Sequence, residues 1–99
     1  MKNNNANFQV RRVVRQDSRR VWEIRNHPVS RRYSGSSDVI TFTNHEPWFE
    51  NKYFSGRDNS CFVLTDEKNV VIGYCRFDYD DEYDRYVVSI ALDPNFHGR

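Results

Sequence analysis

The chain has 99 residues and a formal net charge of +1, and 37% of its residues are hydrophobic and 15% aromatic. A chain of this length forms at most one small domain, and its many aromatic side chains can fill a core, so disorder is excluded for most of the sequence. No segment has the roughly 20 apolar residues of a membrane span or the apolar centre of a signal peptide, and two cysteines are too few for a secreted disulfide scaffold. We therefore expect a cytoplasmic protein.

Charge is distributed unevenly along the chain. Residues 1–32 contain nine Lys or Arg and two acidic residues, whereas residues 33–99 contain six basic and twelve acidic residues. This asymmetry favours an anionic ligand near the N-terminal third, or attraction between the two parts of the chain. Arginines on exposed helix surfaces explain it equally well.

The N-terminal third predicts an arm, a strand and a helix. Residues 1–7 are rich in Asn and have no apolar period, so we expect a flexible arm. Residues 8–14 combine β-branched and aromatic residues in partial alternation, which predicts a first strand. Residues 19–26 have helical spacing, with Asp17 or Ser18 as the residue that caps the helix.

A second helical segment follows. Pro28 should end or kink the first helix, and residues 29–33 predict one further helical turn. Residues 43–46 (Thr-Asn-His-Glu) have the capping-box pattern and precede a predicted helix over residues 47–54. Asn44 is the alternative cap, because a proline at position 47 suits the first turn of a helix.

The second half of the chain changes to the period of β-strands. The predicted strands and turns form an antiparallel meander. The last strand is apolar at nearly every position, which is typical of a strand whose two faces are both covered by helices. The order strand, two helices, three strands predicts an α+β fold. The strands are predicted over residues 61–65, 70–78 and 85–92, with turns over 66–69 and 79–84.

The element order and the closing segment Ser89-Ile90-Ala91-Leu92-Asp93-Pro94-Asn95-Phe96-His97-Gly98-Arg99 resemble the GNAT superfamily of N-acetyltransferases. In that family the fourth strand leads through Asp-Pro into a Gly-rich loop that binds the pyrophosphate of coenzyme A. Here His97 replaces the usual Gln or Arg, and the sequence stops before the two glycines of the pattern.

The resemblance implies a mixed, mostly antiparallel sheet in the order β-α-α-β-β-β. Residues 8–99 would be an incomplete acetyltransferase domain, truncated after its fourth strand. Acetyl-CoA would be the co-substrate. The backbone of Ile90, Ala91 and Leu92 would bind its pantetheine arm and acetyl group, and Gly98 and Arg99 would begin the pyrophosphate site.

A narrower resemblance lies upstream, in Arg25-Asn26-His27-Pro28, Tyr33-Ser34, Ile40, His45 and Trp48-Phe49. This pattern is similar to acetyltransferases that modify amino-sugar nucleotides in pseudaminic-acid and related pathways. It implies substrate contacts at Arg25, Asn26, His45 and Trp48, with the arginine binding a diphosphate. Equally, Asn26 could cap the helix C-terminus while Arg25 lies in solvent.

The family mechanism is direct attack of a neutral acceptor amine on the thioester, with a base or a water chain removing the proton. A backbone N–H of the fourth strand would stabilise the oxyanion. His45, Glu46 and Ser89 are candidates for the base by residue type alone, so the sequence assigns no catalytic residue.

The sequence predicts no metal site. His45-Glu46 begins like a zinc-protease motif, but the required second histidine is missing, since Phe49 stands four residues later. The acidic run over residues 78–84 lacks the Gly and Glu of a calcium-binding loop, because Tyr83 and Ser89 occupy those positions. We expect a solvated hairpin tip, with attraction of a cationic acceptor as the weaker alternative.

The two cysteines flank the predicted turn over residues 66–69 almost symmetrically. This placement predicts that Cys61 and Cys75 are near cross-strand neighbours. Reduced, buried thiols are expected in the cytoplasm, and no neighbouring positive charge in the sequence indicates a catalytic thiolate.

The preferred function is acetyl transfer to a small-molecule primary amine, on a nucleotide-linked amino sugar. A protein N-terminal or ribosomal-protein acetyltransferase is the first alternative. A non-catalytic module that binds anions or nucleic acid is the second, but the acidic residues of the second half disfavour nucleic acid. An open edge at the fourth strand would also allow a homo-oligomer.

Overall fold

A computed structural model of the chain describes residues 7–33 and 38–96. Most of the predicted arm, together with Gly98 and Arg99, lies outside these residues. The α+β prediction and the order of its elements are confirmed, with a short helix where one further helical turn was expected. The elements are β1 (Gln9–Arg12), a 3-10 turn (Arg15–Asp17), α1 (Ser18–Asn26), α2 (Pro28–Tyr33), α3 (Phe42–Tyr53), β2 (Ser60–Thr65), β3 (Val71–Asp80), β4 (Arg85–Leu92) and a second 3-10 turn (Pro94–Phe96).

The four strands form one sheet in the order β1-β2-β3-β4, and every neighbouring pair is antiparallel. The predicted meander is therefore confirmed. The register places Val63 opposite Tyr74, and Tyr74 opposite Ala91, so these side chains lie on one face of the sheet. A β-bulge between Leu64 and Thr65 shifts the pairing at the end of β2.

Helices α1 and α3 pack on one face of the sheet, which we call the covered face. Its strand residues include Cys61, Val63, Tyr74 and Ala91. The spacing of apolar residues in α1 puts Val21 and Ile24 on one side, and both are almost completely buried, as is Phe49 of α3. Burial of this apolar surface is the main stabilising contribution in the described fold.

The other face of the sheet, which we call the open face, carries Val10, Phe62, Phe77, Val88 and Ile90. Val88 is 51% exposed, Ile90 72% and Val10 69%. The prediction that helices cover both faces of β4 is thus wrong for the described residues, because all the helices that pack on the sheet there lie on its covered face.

Helix α1 begins at the predicted position, but the Asp17 side chain does not cap it as predicted. Asp17 occupies the cap position without a side-chain hydrogen bond to the helix. Its carboxylate instead accepts the backbone N–H of Val14 at 2.8 Å and two hydrogen bonds from Arg11, at 2.8 and 3.0 Å. The carboxylate therefore joins β1 to the 3-10 turn that precedes α1.

The predicted start of α3 is wrong. The helix begins at Phe42, and the hydroxyl of Thr41 accepts the backbone N–H of Asn44 at 3.2 Å. The capping box over residues 43–46 and the alternative cap at Asn44 therefore both lie inside the helix. Pro47 is tolerated within it, at the cost of one intrahelical hydrogen bond.

The cysteines are one register position apart rather than opposite each other. Cys61 pairs with Arg76, and Cys75 pairs with Phe62. Since neighbouring positions point to opposite faces, the two thiols lie on different sides of the sheet, and both are free. Among the described helices, none is long and apolar enough to cross a membrane.

Candidate functional site

Charged and aromatic side chains from α1, α3 and β3 meet on the covered face. The guanidinium carbon of Arg25 lies 3.9 Å from the centre of the Trp48 ring, and that of Arg76 lies 5.3 Å from it. We call Arg25, His45, Trp48, Arg76 and Asp78 the Trp48 cluster. Lys52 Nζ is a third cation near the same ring, at 5.8 Å. The indole π-system attracts these cations, but they repel one another.

His45 is the fully buried member of this cluster, with 0% of its surface exposed. Its Nδ1 is 3.2 Å from Nη1 of Arg25, and because a guanidinium only donates, Nδ1 accepts and the ring proton is on Nε2. Burial, followed by the charge of Arg25, lowers the pKa of His45 to about 4. A neutral His45 thus orients Arg25, and its own ring does not reach the surface.

The Trp48 cluster carries more positive than negative charge. Asp78 accepts a hydrogen bond from the Tyr53 hydroxyl at 2.7 Å and lies 3.4 Å from Arg76 and 3.9 Å from Lys52. Burial and the neighbouring charge of Arg76 lower the pKa of Arg25. Three cations, Arg25, Arg76 and Lys52, therefore lie around Trp48, and Asp78 forms ion pairs with the last two only. This excess of positive charge at a partly buried position suits an additional anionic group.

Arg76 and Asp78 are the members of the cluster that sequence analysis did not name as site residues, and Arg76 is the more informative of the two. Its side chain is 16% exposed, and its Nε is buried with no hydrogen-bond partner among the described residues. The alternation of β3 places Tyr74, Arg76 and Asp78 on the same face, so the strand pattern contained a usable signal. An unpaired buried donor is unusual in a folded protein, and His45 Nε2 in the same cluster also has no partner among the described residues.

Asn26 holds the segment that leads into α3. Its side-chain oxygen accepts the backbone N–H of Ile40 at 2.8 Å, and Trp22 donates its indole N–H to the Ile40 carbonyl at 2.6 Å. The side-chain oxygen of Asn26 is therefore already bonded within the chain. Its side chain does not cap the C-terminus of α1, which was the alternative interpretation.

Strand β4 exposes backbone groups along its outer edge. In the described part of the chain it pairs with β3 alone. The backbone N–H of Asp93 donates to the Ile72 carbonyl of β3 at 2.8 Å. Along an antiparallel strand, successive residues direct their backbone N–H and C=O groups alternately toward the partner strand and away from it. Ala91, two residues before Asp93, therefore directs its backbone groups toward β3. Ile90 and Leu92 direct theirs outward. Two of the three residues expected to bind the pantetheine arm and acetyl group thus present backbone groups that are free within the described residues.

The Trp48 cluster and β4 adjoin, because Ser89 of β4 is the cross-strand partner of Arg76. The structure does not bring the three candidate bases together. His45 is buried and already bonded, Glu46 is exposed beside a shallow groove, and Ser89 is half-buried on the sheet.

Other chemistries find little support. Burial raises the pKa of the Cys61 thiol to about 12, so it stays protonated near neutral pH and is not a nucleophile. In residues 7–33 and 38–96, no group of three His, Cys, Asp or Glu side chains could hold a metal ion.

Comparison with known proteins gives a family match and structural relatives. Residues 15–99 match the family model described as the acetyltransferase (GNAT) family. No curated protein sequence matches the chain. The fold is similar to spermidine N-acetyltransferase from Vibrio cholerae, solved in complex with CoA and spermine, with a TM-score of 0.75 and 19% identity over 93% of this chain and 54% of that one.

A chimera of the spermidine N-acetyltransferase SpeG from Vibrio cholerae and hSSAT is a second structural relative. It has a TM-score of 0.71 and 18% identity over 92% of this chain and 53% of that one. The chain thus spans about half the length of the structures that it resembles.

Proposed function

The chain belongs to the acetyltransferase (GNAT) family, and we propose that residues 8–99 are the N-terminal part of an acetyl-CoA-dependent N-acetyltransferase that acts on a primary amine. The observation that carries this proposal is the free edge of β4 at Ile90 and Leu92. Acetyl-CoA contains a flexible arm with two amide groups, and outward backbone groups on a strand can pair with such an arm as with an added strand.

In this proposal the chain orients the co-substrate and supplies hydrogen-bond donors. Ile90 and Leu92 bind the pantetheine arm, and Ala91 packs against the core behind it. A backbone N–H at the β4 edge faces the carbonyl oxygen that gains negative charge when the amine attacks. Gly98 and Arg99, outside the described residues, begin the pyrophosphate site. Acetyl-CoA supplies the activated acetyl group.

For the acceptor, we propose an amine that also carries a negatively charged group, as an amino-sugar nucleotide does. The excess of positive charge at Arg25 and Arg76 supports this choice. A planar guanidinium binds a phosphate oxygen pair through two parallel hydrogen bonds, and Trp48 offers a flat surface for a sugar or base. His45 contributes by holding Arg25 in place.

A polyamine is the competing acceptor, since the structural relative from Vibrio cholerae was solved with spermine. The acidic tip of the β3–β4 hairpin would attract a polycation. However, the turn at residues 81–84 lies about 20 Å along β4 from Ile90, at about 3.3 Å per residue. Nearer Ile90, Arg76 of the Trp48 cluster lies opposite Ser89 of β4, and its charge would repel a polyamine.

The non-catalytic alternatives receive less support. Three arginines of the basic N-terminal third are paired within the chain, with Asp17, Glu50 and Asp93. These pairs neutralise part of the charge that would bind a nucleic acid. A protein N-terminal amine remains an alternative acceptor and is included in the test below.

The first test is calorimetric titration of acetyl-CoA into the chain, and into the chain extended along its reading frame beyond Arg99. Binding by the extended chain is the expected result. If the extended chain does not bind acetyl-CoA, the acetyltransferase proposal is wrong.

The second test measures acetylation of three amines, which are a UDP-linked amino sugar, spermine and a basic peptide. We expect the sugar nucleotide to be preferred, and Arg25→Gln and Arg76→Gln to raise its KM about tenfold or more. Arg12→Gln is the control, since Arg12 is exposed and lies over Phe62 on the open face. Preferred acetylation of spermine, improved by Arg76→Gln, would leave the acetyltransferase proposal intact and reject the anionic acceptor.

A further inference from the structure

We infer that Arg20 is a positioning residue that fixes the end of β4 and the turn after it, which lead to the residues proposed to bind the diphosphate of acetyl-CoA. Arg20 lies on α1, and its Nε donates to the Val71 carbonyl of β3 at 2.8 Å. Its Nη2 forms an ion pair with Asp93, just after β4, and its Nη1 donates to Glu23 at 3.2 Å. One guanidinium therefore joins a helix to the adjacent ends of two strands.

Asp93 transmits this contact to the turn. One carboxylate oxygen binds Arg20, and the other accepts the backbone N–H of Asn95 at 2.9 Å. The backbone N–H of Asp93 continues the sheet by donating to Ile72. Asp93 is 8% exposed, and although burial alone would raise its pKa, the hydrogen bonds from Arg20 and Asn95 lower it. The carboxylate is therefore ionised and bonded on both oxygens.

This arrangement determines the direction in which the chain leaves β4. The second 3-10 turn (Pro94–Phe96) begins directly after Asp93, and it precedes the residues assigned to the pyrophosphate site. The same helix carries Arg25, five residues after Arg20. Arg20 thus sets the distance between the helix on the acceptor side and the strand on the co-substrate side. A displacement of about 1 Å in such a frame can reduce the rate of an enzyme about a hundredfold.

The side chain at position 20 must be an arginine for geometric reasons. A lysine has a single nitrogen and cannot reach Val71, Asp93 and Glu23 together, whereas the guanidinium has donors on three nitrogens. Arg20→Lys should therefore preserve the positive charge but keep only some of the contacts that hold α1 to the ends of β3 and β4.

The inference rests on the proposed function, and the test separates the two. The chain in its full encoded length is titrated with acetyl-CoA and with S-acetylpantetheine, which lacks the diphosphate, and binding is followed by NMR. Arg20→Met is compared with Arg15→Met, which removes an exposed ion pair with Glu50 and touches neither β3 nor β4. Asp93→Asn serves as a second variant, because it removes the charge and keeps the shape.

We expect Arg20→Met to weaken acetyl-CoA binding about tenfold and to change S-acetylpantetheine binding less than about twofold. Arg20→Lys should lie between wild type and Arg20→Met. Asp93→Asn should act in the same direction, and the double variant should be no worse than the worse single variant, since the two residues act as a pair. The amide of Asn95 should also lose hydrogen-exchange protection in Arg20→Met.

Two results would overturn the inference. Arg20→Met could bind acetyl-CoA like the wild type, or it could lose both ligands equally, which would show a general effect on the fold. If the proposed function itself is wrong, the result is different, because the wild type would then bind neither acetyl-CoA nor S-acetylpantetheine.

Discussion

The two faces of the sheet differ although the same strands form them. On the covered face, Cys61 and Val63 are 1% and 0% exposed, whereas on the open face Val88 and Ile90 are 51% and 72% exposed. Strand alternation decides which side chains share a face, but the elements that pack there decide which face is buried. A strand that is apolar at nearly every position therefore has two faces that are suited to burial. The pattern does not show whether the described residues bury both of them.

The difference also separates two kinds of functional group. The covered face carries the Trp48 cluster, whose side chains are fixed by packing and ion pairs. The outer edge of β4 and the open face carry unpaired backbone groups and exposed apolar surface. We propose that further elements of an acetyltransferase domain cover this second region, and that β4 is the strand where the two parts meet.

The largest expected effect is on stability, and it tests the difference between the covered and open faces with one substitution on each face. Ile24 of α1 is 1% exposed and Ile90 of β4 is 72% exposed. Ile24→Ala should lower the free energy of unfolding of the 99-residue chain by about 2–5 kcal/mol, because it leaves a cavity in the core. Ile90→Ala should change it by less than about 0.5 kcal/mol. Urea denaturation measures both values, and equal costs would disprove the difference between the faces.

A longer chain sharpens the same comparison. If further elements cover the open face, Ile90→Ala should become costly there, toward the range of about 2–5 kcal/mol for a buried isoleucine. An unchanged small cost in the extended chain would show that Ile90 stays in solvent.

The next effect concerns the buried histidine on the covered side. The pKa of His45 is about 4 in the folded chain, against an ordinary value of 6.5. The folded state binds this proton less well than the unfolded state does. The contribution of neutral His45 to the free energy of unfolding is therefore fully present above pH 6.5 and is lost as the pH falls toward 4. The loss should be about 3 kcal/mol, and the His45→Gln variant should not show it. Unfolding free energies at several pH values test this, with the exposed His27→Gln as the control.

A third effect tests how closely β3 and β4 pack at Gly73, on the open face. A Cβ at Gly73 would lie 2.6 Å from Cδ2 of Leu92 and 2.9 Å from the carbonyl oxygen of Ala91. Since backbone must move, Gly73→Ala should cost about 1–3 kcal/mol. In Gly56→Ala the new Cβ meets nothing within 4 Å, and the cost comes only from a φ of +81°, about 1 kcal/mol. If urea denaturation shows Gly73→Ala to be no worse than Gly56→Ala, then β3 and β4 are less closely packed than described.

The fold could be predicted well because its signals are local. The boundaries of β4 at Arg85 and Leu92 follow directly from its apolar run and the acidic turn before it. The start of α3 could not be found in the same way, because Thr41 and the residues 43–46 offer competing caps of similar strength. Tertiary packing of Phe42 beside Trp22, with ring centres 5.4 Å apart, favours the earlier start.

The candidate site could be predicted only in part. Arg25, His45 and Trp48 were named from a resemblance, and the structure brings all three together. Arg76 and Arg20 were missed, because the contacts that place them at the site, with Trp48 and with Asp93, are distant in sequence. Arg20 binds Asp93, 73 residues away, and no local pattern records such a pair. The free backbone groups of Ile90 and Leu92 likewise depend on the register of the whole sheet.

The smallest effect on stability should come from Val88→Lys, on the open face. Val88 is half exposed, so the free energy of unfolding should change by less than about 0.5 kcal/mol. Its effect should appear in association instead, because a contiguous apolar face beside an unpaired strand edge favours contacts between copies of the chain. Sedimentation of the 99-residue chain should show self-association that Val88→Lys reduces.

Val39→Lys is the matched control for this last prediction. It makes the same substitution at a residue that is 68% exposed but lies between α2 and α3 and belongs to no strand. If both variants reduce association equally, added charge rather than the open face is responsible. If the wild type remains monomeric at high concentration, the open face does not bind itself, and only a different segment or partner could cover it.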